Sequence, residues 1–272
     1  MSDWQPWIGR VQEQEDRLDP ARSNVLLAAL GRDVVVAEGD PLPPLHHWLH
    51  FWDARTPAQT GVDGHPAKGG FLPPIPLPRR MWAGGEVEFL QPLHFGEQVT
   101  RRSTVSAIDR KDGRSGELIF VTVRHELHGR AGLAIRERQD LVYRAASTAV
   151  ATLPEAVRDP AWEAVFEPDP VLLFRYSALT MNSHRIHYDA PYAQAEEGYP
   201  ALVVQGPLQA TILADHAEAR LGRALGTFAF RGLTAAYAGL PLGLVSESGE
   251  QGLALWTAQG GQRCMAATAR AR

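Results

Sequence analysis

Four consecutive segments between residues 86 and 144 alternate apolar with polar residues, and this alternation constrains the fold more than any other feature of the chain. The segments read EVEFLQPL, EQVTRRSTVSAI, LIFVTVRHEL and LAIRERQDLVYR. Because successive side chains of a strand point to opposite faces, the pattern predicts strands with one face in the core and the other in water. Asp112-Gly113 and Gly129–Gly132 separate segments and suit hairpin turns. The sequence therefore predicts an antiparallel meander.

The second half repeats this plan, with a helix followed by strands. After Gly206-Pro207, the run LQATILADHAEARLG carries apolar residues at the spacing of one helix face. The segments GTFAFRGLTAAY, LGLVSES, GLALWTAQ and RCMAATAR are again strand-like and are separated by Gly-rich turns. No residue-level repeat relates the halves, so the similarity concerns architecture alone. The chain is predicted to contain two copies of one helix-plus-antiparallel-sheet unit.

Two further helices are predicted near the start of the chain. Residues 3–30 are predicted to be helical, with Asp19-Pro20 as an N-cap and first helical residue and Gly31 as the stop. The segment Leu45–Asp53 (LHHWLHFWD) is aromatic enough to form a buried helix.

Two segments lack any periodic pattern. Residues 54–80 are rich in Gly and Pro, and proline removes a backbone donor and fixes φ, so an ordered extended loop is expected there. Such loops often line binding sites. Residues 147–170 lose the alternation and gain Pro and acids, which is typical of a linker. With the boundary near Leu153, the expected domains are residues 1–153 and residues 154–272.

Composition excludes several classes of function. A net charge of −4 gives no electrostatic reason to expect nucleic acid, and no apolar stretch approaches the ~18 residues of a membrane span. The single cysteine, Cys264, cannot form an internal disulfide, and the first 20 residues lack the pattern of a signal peptide. The expected protein is folded and soluble, resides in the cytoplasm and binds a small molecule.

The segment Phe174–Ala193 (FRYSALTMNSHRIHYDAPYA) concentrates the polar chemistry of the chain just upstream of the Gly206 helix. One interpretation is a metal site, since His184 and His187 are three residues apart and Asp189 is close, but no third ligand is evident in the sequence. A second interpretation is a structural histidine bonded to Asp189 or a tyrosine. The third is acid–base chemistry on a thioester.

The third interpretation is supported by a resemblance. MaoC-like hydratases and dehydratases of the hot-dog fold carry the pattern Y-S-x-x-[ST]-G-D-x-N-P-I-H-x-D, and residues 176–189 read YSALTMNSHRIHYD. The matching residues are Tyr176, Ser177, Thr180, Ile186, His187 and Asp189. The pattern's Gly, Asp, Asn and Pro are replaced by Met181, Asn182, His184 and Arg185.

One branch of that family resembles this chain over nearly its whole length. It comprises the mitochondrial-type 3-hydroxyacyl-thioester dehydratases and the bacterial mesaconyl-C4-CoA (3-methylfumaryl-CoA) hydratases. It resembles GGFLPPIPLPRRMWAGG in the first half, and TMNSHRIHYD with QGPLQA in the second. The resemblance implies an α+β double hot-dog fold, two helix-wrapped antiparallel sheets in one chain, with the active residues in the C-terminal copy. It also implies a hydro-lyase that acts on a 2-enoyl or 3-hydroxyacyl thioester.

Residue chemistry assigns three expected roles. His187 can take a proton from water and return one to the α-carbon, because imidazole titrates near neutral pH. Asn182 keeps the position of the family's aspartate and can orient water, but it cannot act as a base. Gly206 can present its N–H to the thioester oxygen at a helix start, where free amides and the helix dipole favour negative charge.

Other residues are candidate substrate contacts. Arg185 could bind a free carboxylate on the substrate, or it could form a salt bridge with Asp189. Arg79 and Arg80 could bind the phosphates of coenzyme A, or they could simply be solvated. Tyr176, Tyr192 and Trp82 are candidates for the pocket wall. His46 and His47 lie in the half expected to be inactive and are assigned no role.

Two rival functions stay open. A thioesterase would use the same helix start but would need a carboxylate near Gly206, where QGPLQA carries only Gln205 and Gln209, and Asp215 lies about two turns further along. A non-catalytic acyl-thioester-binding subunit is the other. The expected partner is an acyl-CoA substrate, with no cofactor besides the coenzyme A of the substrate and no metal. A homodimer stays open as the assembly.

Overall fold

Two antiparallel sheets join edge to edge in the computed structural model, which describes residues 4–113, 116–146, 151–249 and 252–272. The strands of the first half are β1 (Val11–Arg17), β2 (Arg79–Phe89), β3 (Gln98–Gly113), β4 (Gly116–Gly129) and β5 (Gly132–Arg144). Those of the second half are β6 (Ala164–Phe166), β7 (Leu225–Gly232), β8 (Leu242–Gly249), β9 (Gly252–Gln259) and β10 (Gln262–Ala271). The described strands form one ten-stranded sheet in the order β1-β3-β4-β5-β2-β7-β10-β9-β8-β6.

The helices of the described residues are few. They are α1 (Pro20–Ala29), α2 (Pro170–Leu179), α3 (Ala190–Ala195) and α4 (Gly206–Leu221), with 3-10 turns at Gln5–Trp7, His46–Leu49, Pro57–Gln59 and Arg185–His187. The long helix α4 packs on the second-half sheet and buries half of its residues. None of these helices is long and apolar enough to cross a membrane. The predicted α+β double hot-dog class is confirmed.

Pairing of β2 with β7 makes the two sheets continuous. Gly84 lies opposite Arg231 and Glu88 opposite Thr227, so the halves share an antiparallel ladder. The main apolar core runs from Leu18 and Val87 in the first half to Leu208 and Phe228 in the second. The halves are therefore packed as one body where they meet.

The predicted meander is correct only for β3, β4 and β5, which pair in sequence. The strand before them, β2, pairs with β5 instead of β3. This crossover leaves the other edge of β2 free for β7, which alternation alone cannot reveal. The predicted extended loop is present but ends at Pro78, because Arg79 already belongs to β2.

Two helix predictions near the N-terminus need correction. Residues 11–17 form β1 beside β3 and only Pro20–Ala29 is helical, while residue 3 lies outside the described residues. Asp19 caps α1 as predicted, by accepting from the Ala21 N–H. The predicted helix Leu45–Asp53 is only a 3-10 turn, since Leu45 and Phe51 adopt left-handed backbone angles, with φ of 64° and 62°, that interrupt a helix.

The expected linker contains a strand, because Ala164–Phe166 pairs with β8. Its residues 147–150 lie outside the described residues. The domain boundary near Leu153 stays a prediction.

Candidate active site

The motif segment folds as a compact turn between α2 and α3. Asp169 caps the start of α2, and the Thr180 hydroxyl closes its end by donating to the Tyr176 carbonyl over 2.7 Å. Met181 then adopts a φ of +51°, which explains why glycine occupies this place in the related pattern. A 3-10 turn carries His187 inward, and Asp189 caps α3 by accepting from the Tyr192 N–H.

His187 is buried, and one ring nitrogen is fixed. Its Nδ1–H donates to the Val203 carbonyl over 2.7 Å, which leaves Nε2 as the acceptor of the neutral ring. Burial, together with the neighbouring His184 and His65, lowers the pKa of His187 to about 3, against the effect of the Val203 bond. The side chain is therefore a neutral base at physiological pH.

Asn182 lies at the end of α2, where it forms a local turn. Its Oδ1 accepts from the His184 N–H over 3.1 Å, so its amide NH₂ remains as the donor. Asn182 also lines a cavity of about 280 Å³ between α2 and the loop of the first half. The first half contributes Asp53, Arg55, Thr60, Gly64 and Pro66 to this cavity. Asn182 can thus orient a polar group without carrying charge.

Gly206 begins α4 three residues after Val203, the residue that holds His187. The start of α4 has no side-chain cap, since the N-cap residue is Gln205 and its amide donates instead to the Leu173 carbonyl and the Ser177 hydroxyl. Unpaired N–H groups at a helix start favour an anion. A Cβ on Gly206 would meet no protein atom closer than 3.8 Å, so space remains beside it.

The charged candidates for substrate binding already form contacts with other residues of the protein. Arg185 donates to Asp189 from Nε and Nη2, over 3.0 and 2.7 Å, and its guanidinium lies over the Tyr192 ring. This is the salt bridge that was the alternative expectation for Arg185. Arg79 pairs with Glu197 at 2.9 Å.

The two remaining aromatic candidates are packing residues in this structure. Tyr176 is fully buried within the main core, and burial raises the pKa of its hydroxyl. Trp82 packs against Trp48 and Phe230 where β2 meets β7, and its indole N–H donates to the Gly84 carbonyl. Substrate contacts by all five residues stay predictions.

A segment of the first half reaches the motif, and the sequence reasoning missed it. The Arg185 N–H donates to the Asp63 carbonyl over 2.9 Å, and the Ser183 hydroxyl donates to the Gly64 carbonyl. The ring of His65 lies 4.1 Å from that of His184, centroid to centroid. Only the Gly and Pro content of residues 54–80 hinted at this contact, through the expectation that such a loop lines a site.

The structure brings together a different set of possible metal ligands from the set that the sequence suggests. Asp189 is committed to Arg185 and to the cap of α3, so it does not join His184 and His187. Instead, Asp63, His65 and His184 place ligand-type atoms within 4.8 Å of one another. Hydrogen bonds from His65 to Asp63 and from His184 to Glu197 already satisfy one nitrogen of each ring.

Comparisons with known proteins agree on one family. A family model described as hydroxyacyl-thioester dehydratase type 2 (Htd2) matches residues 45–238. The mesaconyl-C(4)-CoA hydratase of Chloroflexus aurantiacus is 45% identical over 234 residues, covering 85% of this chain and 84% of the relative. The mitochondrial hydroxyacyl-thioester dehydratase type 2 of Schizosaccharomyces pombe is 29% identical over 238 residues, covering 76% and 79%.

Solved structures share the fold. HtdX of Mycobacterium tuberculosis superposes with a TM-score of 0.69 at 19% identity, covering 97% of this chain and all of that one. A second protein of the same organism, described as having a double hotdog fold, matches with a TM-score of 0.54 at 13% identity, covering 96% and 95%. At such identities the similarity concerns the fold alone.

Proposed function

Because the chain belongs to the family of type 2 hydroxyacyl-thioester dehydratases, we propose that it adds water reversibly to a 2-enoyl-CoA, with mesaconyl-C4-CoA as its substrate. The chain is a hydro-lyase, as its hydratase and dehydratase relatives are. The 45% identity to the Chloroflexus aurantiacus hydratase supports the choice of substrate. No cofactor is proposed besides the coenzyme A that the substrate itself carries.

The observation that carries this proposal is the hydrogen bond from His187 to Val203. It fixes the ring so that Nε2 is the basic atom, and burial keeps that atom unprotonated at neutral pH. A neutral, oriented imidazole is what the removal of a proton from water requires. Addition of the water oxygen to the β-carbon moves electron density to the thioester oxygen.

Gly206 and Asn182 have complementary proposed roles. The N–H of Gly206, at the uncapped start of α4, would donate to the thioester oxygen as it gains charge. The amide of Asn182 would hold the water, since its Oδ1 is already used to shape the turn through His184. Both groups stabilise the transition state without changing their own charge.

A panel of thioesters tests the proposal. Loss of ultraviolet absorbance of the conjugated enoyl thioester should occur with the wild-type protein, and it should be about 10³-fold slower or more in His187→Ala. Mesaconyl-C4-CoA should react faster than crotonyl-CoA and longer 2-enoyl-CoAs. Release of free thiol in place of the absorbance change would identify a thioesterase and contradict the proposal.

Arg185 can be tested in the same panel. If its guanidinium binds the free carboxylate of the substrate, Arg185→Lys should raise the KM for mesaconyl-C4-CoA more than that for crotonyl-CoA, because lysine cannot make the bidentate contact. An equal change for both substrates would assign Arg185 to the Asp189 salt bridge alone.

A second candidate is a 3-hydroxyacyl-thioester dehydratase of the fatty-acid type. The family model and the Schizosaccharomyces pombe relative favour it. It predicts that longer, unsubstituted 2-enoyl-CoAs and their 3-hydroxy forms react fastest. A cytoplasmic location remains part of the proposal, and a homodimer stays open; light scattering of the pure protein distinguishes a monomer from a dimer.

A further inference from the structure

Two histidine–carboxylate pairs stack against each other beside His187. Asp63 Oδ2 lies 2.9 Å from Nδ1 of His65, and Glu197 Oε1 lies 3.1 Å from Nε2 of His184. The His65 and His184 rings are 4.1 Å apart at 36°, and the His184 ring meets the His187 ring edge to face at 5.5 Å. Three imidazoles and two carboxylates therefore form one cluster, whose members come from both halves of the chain.

The backbone around the cluster is built to hold the halves together. Gly64 has a φ of +89°, and a Cβ there would lie 1.8 Å from the Ser183 carbonyl oxygen, so the two turns touch directly. The Arg185 N–H and guanidinium donate to the carbonyls of Asp63 and Val62, which fixes the loop against the motif. The approach of His65 to His184 follows from this interlocked backbone.

The charges of the cluster favour a shared proton. Although burial alone would raise them, the pKa of Asp63 is held well below its usual range by His65, and the pKa of Glu197 is lowered by His184. Both carboxylates stay ionised. Two protonated imidazoles stacked at 4.1 Å would repel each other, so the pair of rings can hold one proton between two carboxylates.

Hydration needs two proton transfers, and the motif offers one base. His187 can take the proton of water, and without a second acid–base group it would also have to return that proton to the α-carbon. Asn182 stands where the related pattern has aspartate, and a carboxamide cannot supply one. We propose that His184, held by Glu197 and stacked on the Asp63–His65 pair, is the second acid–base residue of the active site. This inference rests on the proposed hydratase function.

The proposed reaction balances without a further reactant. The water oxygen bonds to the β-carbon, and a water proton passes to Nε2 of His187. The π electrons of the double bond form the new bond between the α-carbon and a proton given by the His184 imidazolium. The proton on His187 then returns to His184, which restores both residues. Dehydration follows the same steps in reverse.

The roles within the cluster differ. His184 is the proposed catalytic residue, whereas Asp63, His65 and Glu197 are positioning residues: Glu197 hydrogen-bonds the His184 ring, and the Asp63–His65 pair packs against it. Nε2 of His184 faces Glu197, so Nδ1 is the atom left to exchange protons with the substrate. The surrounding charged and titratable groups are Asp63, His65, His187, Glu197, Arg79 beside Glu197, and Arg80 near His65. The first half, though without the motif, would thus supply part of the active site.

Kinetics of His184→Asn and Glu197→Gln test the proposal. His184→Asn should lower kcat about 10²- to 10⁴-fold, the usual worth of general acid–base catalysis, with a much smaller change in KM. It should slow exchange of the α-proton with deuterium from solvent by a similar factor. Circular dichroism and thermal unfolding of both variants establish that they are folded.

Glu197→Gln tests whether the cluster takes part in catalysis or only stabilises the fold. Without the Glu197 carboxylate the His184 ring loses its hydrogen-bond partner, so kcat and the rate of α-proton exchange should both fall, with little change in KM. His65→Asn should have the same effect, but a smaller one, because the His65 ring only packs against that of His184. A structural role would lower the folded fraction and leave both rates unchanged for the folded protein.

His94→Asn is the matched control, since His94 also pairs with a carboxylate, Glu97, at 3.2 Å but is not part of the cluster. It should keep the wild-type kcat and rate of α-proton exchange. Folded His184→Asn with near wild-type kcat and α-proton exchange would overturn the inference. So would loss of activity on chelation that Zn²⁺ restores, because Asp63, His65 and His184 would then be metal ligands. A wild-type protein that hydrates no enoyl-CoA would instead refute the proposed function.

Discussion

His187 and Val203 are joined by a 2.7 Å hydrogen bond from the imidazole Nδ1–H to the backbone carbonyl, and this bond decides which nitrogen can act as a base. Val203 is three residues before Gly206, so one short segment fixes the base and begins the helix that would bind the thioester oxygen. The base and the proposed oxyanion site are thereby held in one rigid unit.

The first prediction compares His187 with Asn182. His187→Ala removes the oriented base and should lower kcat about 10³-fold or more, whereas Asn182→Ala removes a water donor and a turn contact and should cost less. Turnover of the enoyl thioester, followed by its absorbance, measures both. Equal residual activity in the two variants would show that the roles are divided differently.

Gly206→Ala should separate binding of the substrate from folding. Alanine is a good first residue of a helix, and its Cβ would lie 3.8 Å from the nearest protein atom, so the unfolding temperature should not fall. The methyl group would instead crowd the thioester and lower kcat/KM about tenfold or more. Gly232→Ala, with its nearest atom at 3.6 Å, is the control and should keep full activity. Wild-type kcat/KM in Gly206→Ala would argue against a thioester contact there.

Gly64→Ala should disrupt the contact between the halves. The added Cβ would fall 1.8 Å from the Ser183 carbonyl oxygen, which forces the turns apart, and overpacking of this kind costs about 1–3 kcal/mol. The free energy of unfolding, measured with urea, and the turnover rate should both fall. Gly39→Ala has a similar φ of +91° with nothing within 4 Å, so it isolates backbone strain and should leave turnover unchanged. If Gly64→Ala and Gly39→Ala have equal effects, a shift of the surrounding chain has relieved the clash with Ser183.

Acid should destabilise the protein below pH 6.5. Burial lowers the pKa of five histidines from 6.5, to about 3 for two and about 4 for three: His46, His187, His50, His65 and His125. As the pH falls, these histidines bind protons in the unfolded chain before they do so in the folded protein. Their contribution to the free energy of unfolding is therefore fully present above pH 6.5, and it is lost as the pH drops towards 4, by about 1 kcal/mol or more per histidine. Urea titrations between pH 4.5 and 8 measure this slope.

A matched pair of variants checks the origin of that slope. His46→Asn removes a fully buried ring and should flatten the dependence on pH, whereas His94→Asn, whose side chain is 40% exposed, should leave it unchanged. A wild-type protein that is as stable at pH 5 as at pH 7 would contradict the assignment of buried, neutral histidines.

Local patterns predicted the features that depend on neighbouring residues. Alternation located β3, β4 and β5, and the Gly206-Pro207 start located α4, because each pattern shows which face of its own element is buried. The strand β1 was mistaken for helix, since its conformation comes from pairing with β3 about 90 residues further along. Short polar segments such as VQEQEDR carry too little periodicity to specify a strand without that partner.

The sequence patterns by themselves determined the plan of two helix-plus-antiparallel-sheet units and located the motif around His187, since each lies in contiguous segments. The double hot-dog fold was implied by the resemblance of that motif to MaoC-like proteins. Tertiary structure decided that β2 joins β7, that Arg185 is bound by Asp189, and that His65 lies on His184. The Gly64–Ser183 contact behind that stack spans 119 residues. Such contacts form only in the folded chain. Their partners share no local sequence pattern and are brought together by the path of the backbone and by burial.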